Sequence, residues 1–389
     1  MSCLAGRTSW YNVARVHATP QVFLVPGFFG FQTIAGLPYF SGARELLRDR
    51  LAELGIPARV YALDTLPTAS IENRARHLGE RIAALVPNDQ SPIHLVGHST
   101  GGLDARVLLS PSALPDLAPL RARVASLISI STPHYGTPLA DVFVRVEGQK
   151  LLRLLSLLSV YGLRLAGRPL ARAVTLGRIV ARLDELVGLR ESALDAVYQL
   201  LSDGLSRERV RSIEQFFGAV GQDQSLLRQL QPHAMAGFEQ RVEPNPKVRY
   251  ASVLTRARPP GLRGPVEIGL NPIAQISHAL YQGLYRISAT QDPESLARPS
   301  DTQRLALIDR YGKVPDNHAN DGLVPTRSQL HSEVIHVARA DHHDVIGYFG
   351  DRKHDPPHVD WVATGSGFRR PDFDRLWTDV ARFMSGVDQ

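Results

Sequence analysis

Short apolar runs and amphipathic stretches alternate along the first third of the chain. Residues 21–25 form a strand-like run entering Pro26-Gly27, and residues 43–55 put Leu46, Leu47, Leu51 and Leu54 on one helical face with Gly55 as a stop. Residues 59–63 read as strand. Residues 71–86 read as helix, with Ser70 as cap and Pro87 as terminator. Residues 93–96 and 124–130 are buried-strand runs. Strands and helices in this order predict a mostly parallel central sheet joined by right-handed crossovers, with helices on both faces.

The pattern changes near residue 141. From 141 to 245 the chain is almost wholly helical in character, with no β-rich run. Strand character returns at 248–254, and a Pro/Gly-rich loop spans 258–265. A helical patch at 272–285, a strand at 334–338 and a last helix at about 372–384 follow. The organisation is therefore an N-terminal extension (1–19), the first part of an α/β core (20–140), a helical cap or lid insertion (141–245) and the second part of the core (246–389).

Composition narrows the class. Of 389 residues, 43% are hydrophobic and 21% charged, which excludes a disordered or fibrous chain. The net charge of +6 is diffuse and carried by Arg, with Lys only at 150, 247, 313 and 353, so nucleic acid is not an expected partner. Cys3 is the single cysteine, and intramolecular disulfides are excluded. Arg7, Asn12, Arg15 and His17 interrupt the first 20 residues, which do not read as a secretory signal. The most apolar window, 154–163, is half the roughly 20 residues a membrane span needs. The expectation is a cytoplasmic protein without a transmembrane segment.

The strongest chemical signal is Gly97-His98-Ser99-Thr100-Gly101, placed between an apolar strand and a helical stretch. A Gly-x-Ser-x-Gly turn in that setting lifts a serine hydroxyl into the open, and the helix N-terminus behind it favours developing negative charge. Ser99 is the candidate nucleophile. Its oxyanion hole needs the amide after the serine, Thr100, and one from the loop after an earlier strand, where Phe28 in Pro26-Gly27-Phe28 is chosen. A base and an acid should follow in the order Ser, Asp/Glu, His. Spacing and chemistry leave His342 and His343 equal, with Asp321 and Asp316 as nearby acids.

Together these pieces resemble the bacterial triacylglycerol lipases and esterases of the α/β-hydrolase superfamily. The Gly-His-Ser-x-Gly-Gly elbow, Ser131-Thr132-Pro133-His134-Tyr135-Gly136-Thr137, Asn320-Asp321-Gly322-Leu323-Val324 and Asp341-His342-His343-Asp344 carry the likeness. So does the stretch at 223–235. The resemblance implies an α/β-hydrolase fold and selects Asp321 and His342 as acid and base. Pro26 stands where the family's usual histidine precedes the oxyanion glycine. The resemblance also implies a structural calcium for which Asp344 and Asp301 are the candidate ligands, although the family's Gln four residues after Asp344 is Tyr348. The hydrolytic chemistry itself requires no cofactor.

The expected activity is cleavage of lipid carboxylic esters through an acyl-enzyme on Ser99, with an acyltransferase or thioesterase on the same triad as the alternative. In the cap, residues 151–174 mix apolar positions with Arg153, Arg164, Arg168 and Arg172. Two readings stand: a cap that opens in transient contact with a lipid surface, and one packed permanently on the sheet. Either implies an apolar acyl pocket, with Phe28, Phe29, Phe31, Tyr39 and Phe40 as lining candidates. The His354-Asp355…His358…Asp360 cluster reads as a solvated loop, since two prolines break any ligand spacing.

Overall fold

The computed structural model describes residues 19–28, 33–34, 37–86, 90–145, 223–261, 272–351, 358, 360 and 362–386, with isolated positions between 207 and 218. The amphipathic stretch 151–174, Phe29, Phe31, His354 and Asp355 lie outside the described residues.

Six strands form one sheet: β1 (Gln21–Val25), β2 (Arg59–Ala62), β3 (Ile93–His98), β4 (Val124–Ile130), β5 (Arg249–Thr255) and β6 (Glu333–Ala338). Their order is β2-β1-β3-β4-β5-β6, and every neighbouring pair is parallel. All five residues of β1 and all six of β3 are buried, as continuous rather than alternating apolar runs require.

The side-chain alternation of β1 divides the core. Val22 and Leu24 join a cluster with α1 (Ala43–Glu53) and the C-terminal helix, whose Phe373 and Trp377 are fully buried. Phe23 and Val25 face the other side, against α2 (Ile71–Leu85) and α3 (Thr100–Leu109). Helix α2 begins where the sequence places its cap: the Ser70 hydroxyl accepts from the Asn73 amide at 3.2 Å.

Among the described residues, the short helices α4 (Pro138–Phe143), α5 (Ser225–Gln229) and α6 (Pro232–Arg241) come after β4. Leu226, Leu230, Met235 and Phe238 belong to the same apolar cluster as β1, α2 and α3. The C-terminal end of the expected helical cap is thus packed on the core, while most of 146–222 lies outside the described residues. The Ile71 amide donates to Gln229 Oε1 at 2.7 Å, which anchors α5 to the start of α2. Beyond lie α7 (Pro272–Ser288), α8 (Asp301–Tyr311) and α9 (Arg370–Ser385). Among the described residues no helix is long and apolar enough to cross a membrane.

Parallel strands place the segments that leave β1, β3, β4 and β5 side by side. Register pairs Val25 with Gly97, Gly97 with Ser129, and Ser129 with Ser252, so these ends lie in one row at the carboxyl edge of the sheet. That edge is where open α/β sheets put their sites.

Candidate active site

Ser99 occupies the turn between β3 and α3 with φ 54° and ψ −130°. A non-glycine residue there stores on the order of 1–3 kcal/mol of backbone strain. The flanking glycines make the turn sterically feasible: a Cβ on Gly97 would come within 2.5 Å of the Gly102 backbone. One on Gly102 would strike the Thr132 side chain.

The candidate acid, Asp321, is held by its own turn. Within Asn320-Asp321-Gly322-Leu323-Val324, Gly322 takes φ 97° and its amide donates to Asn320 Oδ1 at 2.8 Å. That geometry aims the Leu323 and Val324 amides at Asp321 Oδ1, at 3.0 and 2.8 Å. Asp321 Oδ2 accepts from Thr255 Oγ1 at 2.7 Å and Gln329 Nε2 at 3.2 Å. It also meets His342 Nδ1 at 2.8 Å. Both residues of the pair are buried, and the His342 amide donates to the Asp321 carbonyl at 3.0 Å. With Nδ1–H committed to the carboxylate, a neutral His342 presents Nε2 as the acceptor.

Ser99, Thr100, Phe28, His342 and His343 line one cleft. Its other walls are nearly all apolar, including Leu139 and Phe143 of α4, Leu227 of α5, and Leu323 and Val324 beside the acid. Tyr39 lines it as well, whereas buried Phe40 packs into the core.

Beneath the loop that follows β1 lies an ion pair with no solvent exposure on either partner. Arg74 of α2 donates from Nε to Asp104 Oδ1 at 2.9 Å and from Nη2 to Oδ2 at 2.7 Å. Nη2 also reaches the Gly27 carbonyl at 3.2 Å and Thr100 Oγ1 at 3.2 Å. Burial pushes the Asp104 carboxyl up to about 6, against the pull of Arg74.

Asp344 lies in an acidic group with buried Asp341 and half-buried Asp360, with one carboxylate oxygen of each within 4.8 Å of the others. Asp301 is elsewhere, exposed in the first turn of α8. Burial raises all three carboxyls, and mutual repulsion raises Asp344 and Asp360 further. Three clustered hard oxygen donors, two of them buried, suit a calcium-type cation. Asp341 is also tied to its loop, accepting the His343 and Asp344 amides at 2.9 and 3.0 Å.

The structure therefore brings Ser99, Thr100, Phe28 and His342 to one cleft, and joins His342, rather than His343, to the buried Asp321 behind it. Sequence reasoning missed Thr255, Gln329, Arg74, Asp104 and Tyr39 as polar partners. Thr255, at the end of β5, carried the one available signal: a hydroxyl closing a buried strand at the sheet's carboxyl edge.

No family model matches the sequence. A triacylglycerol lipase of Vibrio cholerae is 36% identical over 123 residues, 31% of this chain and 35% of that protein. One of Pseudomonas fragi is 30% identical over 131 residues, 32% of this chain and 39% of that protein. The match thus spans well under half the length of these curated relatives. Lipase 1 from Pelosinus fermentans superposes with a TM-score of 0.52 at 18% identity, covering 96% of this chain and all of that one (100%). EstA from Clostridium botulinum gives 0.50 at 20% identity, covering 97% and 90%. The fold is α/β-hydrolase-like, as in these bacterial structures, and about a third of the chain is similar in sequence to bacterial triacylglycerol lipases.

Proposed function

We propose that the chain is a serine hydrolase that cleaves carboxylic esters of lipids through an acyl-enzyme on Ser99. The observation that carries this reading is a strained serine opening into the same apolar cleft as a histidine bonded to a buried carboxylate. In the proposed reaction His342 Nε2 takes the Ser99 hydroxyl proton as Oγ attacks the ester carbonyl. Asp321 fixes the tautomer of the imidazole and stabilises its charge. The Phe28 and Thr100 amides receive the oxyanion, and His342 returns the proton to the leaving alcohol. Water, deprotonated by the same histidine, then releases the acid. The apolar walls contributed by α4 and α5 favour an acyl chain over a polar substituent.

Asp341, Asp344 and Asp360 would hold a structural calcium ion. Bound there, the cation would neutralise the clustered carboxylates and would pin the loop that carries His342; it would supply no chemical step. Calcium should raise the thermal midpoint, and Asp360→Asn should abolish that rise.

Hydrolysis of p-nitrophenyl esters of increasing chain length, beside emulsified triglyceride, tests the reading with wild type and Ser99→Ala. Cleavage of long chains by wild type, lost in the variant, is the expected result. Activity confined to short soluble esters would reduce the protein to an esterase. A wild type inert on all of them, or an active Ser99→Ala, would overturn the assignment.

A further inference from the structure

Two side chains outside the proposed triad link its two halves. Tyr39 is buried just beyond the loop that follows β1. Its hydroxyl oxygen accepts from the Gly27 amide at 2.8 Å and lies 2.9 Å from His98 Nδ1. On the far side of that ring, His98 Nε2 lies 2.8 Å from the carbonyl oxygen of His342.

Donor and acceptor logic orients the whole chain. A carbonyl only accepts, so His98 Nε2 carries the proton. His98 has no solvent exposure, and burial pushes its pKa well down, which keeps the ring neutral. Neutral Nδ1 is then an acceptor and takes the Tyr39 hydroxyl proton. The Tyr39 oxygen is left to accept from Gly27. Every bond has one donor and one acceptor, and the run goes from the oxyanion loop to the backbone of the base.

Space around the strut is equally defined. A Cβ on Gly27 would stand 2.7 Å from Ser99 Cβ and 2.8 Å from the Tyr39 hydroxyl. With its amide committed to Tyr39, Gly27 cannot donate to an oxyanion, which leaves that part to the next amide, Phe28.

We infer that Tyr39 and His98 are positioning residues of the acyl-transfer site, a buried hydrogen-bonded strut that sets the oxyanion loop and His342 relative to Ser99. The inference rests on the proposed serine-hydrolase function. Neither side chain gives or takes a proton in the reaction. Their contribution is to hold both ends at the spacing the transition state needs, where a displacement near 1 Å costs about 100-fold.

Such a role predicts a loss in kcat rather than KM. Tyr39→Phe removes the hydroxyl and leaves the ring, His98→Ala removes both ring nitrogens, and His98→Gln offers an amide oxygen to Tyr39 and an amide N–H to the His342 carbonyl. The measurements are kcat and KM on one p-nitrophenyl ester, the rate of Ser99 phosphonylation by a p-nitrophenyl phosphonate, and the thermal midpoint. Expected is a fall in kcat of roughly 10- to 100-fold for Tyr39→Phe and His98→Ala, with KM within about twofold. Phosphonylation should slow in parallel, and His98→Gln should recover most of both rates.

Folded Tyr39→Phe and His98→Ala variants with unchanged kcat would overturn the strut. So would a loss carried by KM, or a His98→Gln no faster than His98→Ala although equally stable. Those results, with wild type active and Ser99→Ala dead, leave the hydrolase reading intact. A wild type inert to both ester and phosphonate overturns that reading, and this inference with it.

Discussion

At the scale of single residues, the proposed acid is held from every side behind the base. Asp321 accepts two backbone amides on Oδ1, and on Oδ2 it meets Thr255, Gln329 and His342. An asparagine fits the same space but always turns its NH2 toward donors. On one side it faces two fixed amides, and on the other Gln329 and the imidazole N–H. Asp321→Asn should therefore drive His342 into the other tautomer and lower kcat by about 10³- to 10⁴-fold. Stability should fall by only about 1–3 kcal/mol. Urea unfolding set beside steady-state kinetics separates the two, and comparable small losses in both would contradict the role given to Asp321. Sequence spacing left His342 and His343 equal because both follow Asp341 on the same loop. What distinguishes them is direction: His342 Nδ1 meets the carboxylate, while His343 packs against His98 and His342. Direction is a property of the folded loop, and neither the residue type nor its number encodes it.

Among the elements, periodicity carried most of the information. Strands buried on both faces read as continuous apolar runs and helices as one-sided stripes. Their bounds follow from Ser70 at the start of α2 and from Gly55 just beyond α1. What periodicity could not show is how elements are tied across the sheet. Arg74 in α2 and Asp104 in α3 are 30 positions apart and look like ordinary helix-surface charges in the sequence. Folded, they are wholly buried and bind the loop after β1 to the helix after Ser99. Arg74→Met should cost about 3–5 kcal/mol, because it strands a buried carboxylate. Adding Asp104→Leu removes that charge and should restore much of the lost stability. Activity should stay low in the double variant, since the Gly27 carbonyl and the Thr100 hydroxyl have still lost their shared donor. Thermal midpoints and kcat for the three variants decide it. Recovery of activity together with stability would make the pair a matter of folding alone.

Over the whole molecule, the α/β unit was legible because the order of strand-like and helix-like runs is itself the topology of a parallel sheet. The buried polar interior was not legible, because histidines in apolar runs carry no mark of their protonation state. His94 lies in the middle of the sheet on β3, with Nδ1 2.8 Å from Ser126 Oγ, and burial pushes its pKa down to about 4. His331 is pushed down to about 3, and His134, stacked on it, falls well below the ordinary value. The sign for such a group is definite. Above pH 6.5 the ring is neutral folded and unfolded, and the fold keeps its full stability. As pH falls from about 6.5 to about 4 the unfolded chain takes up a proton that the folded ring refuses, and stability is lost. For His94 the gap of about 2.5 units corresponds to roughly 3 kcal/mol. Asp104, raised to about 6, works in the opposite direction and favours the fold at lower pH. The bare pH profile is therefore a sum of opposing contributions, and a variant is needed to isolate one. His94→Asn keeps an oxygen facing Ser126 and removes the titration. At pH 7 it should be less stable than wild type, having lost ring packing, and that deficit should shrink or reverse by pH 4.5. Urea unfolding of both proteins at the two pH values gives the answer directly. A deficit independent of pH would mean that the buried ring charges as readily in the fold as in water.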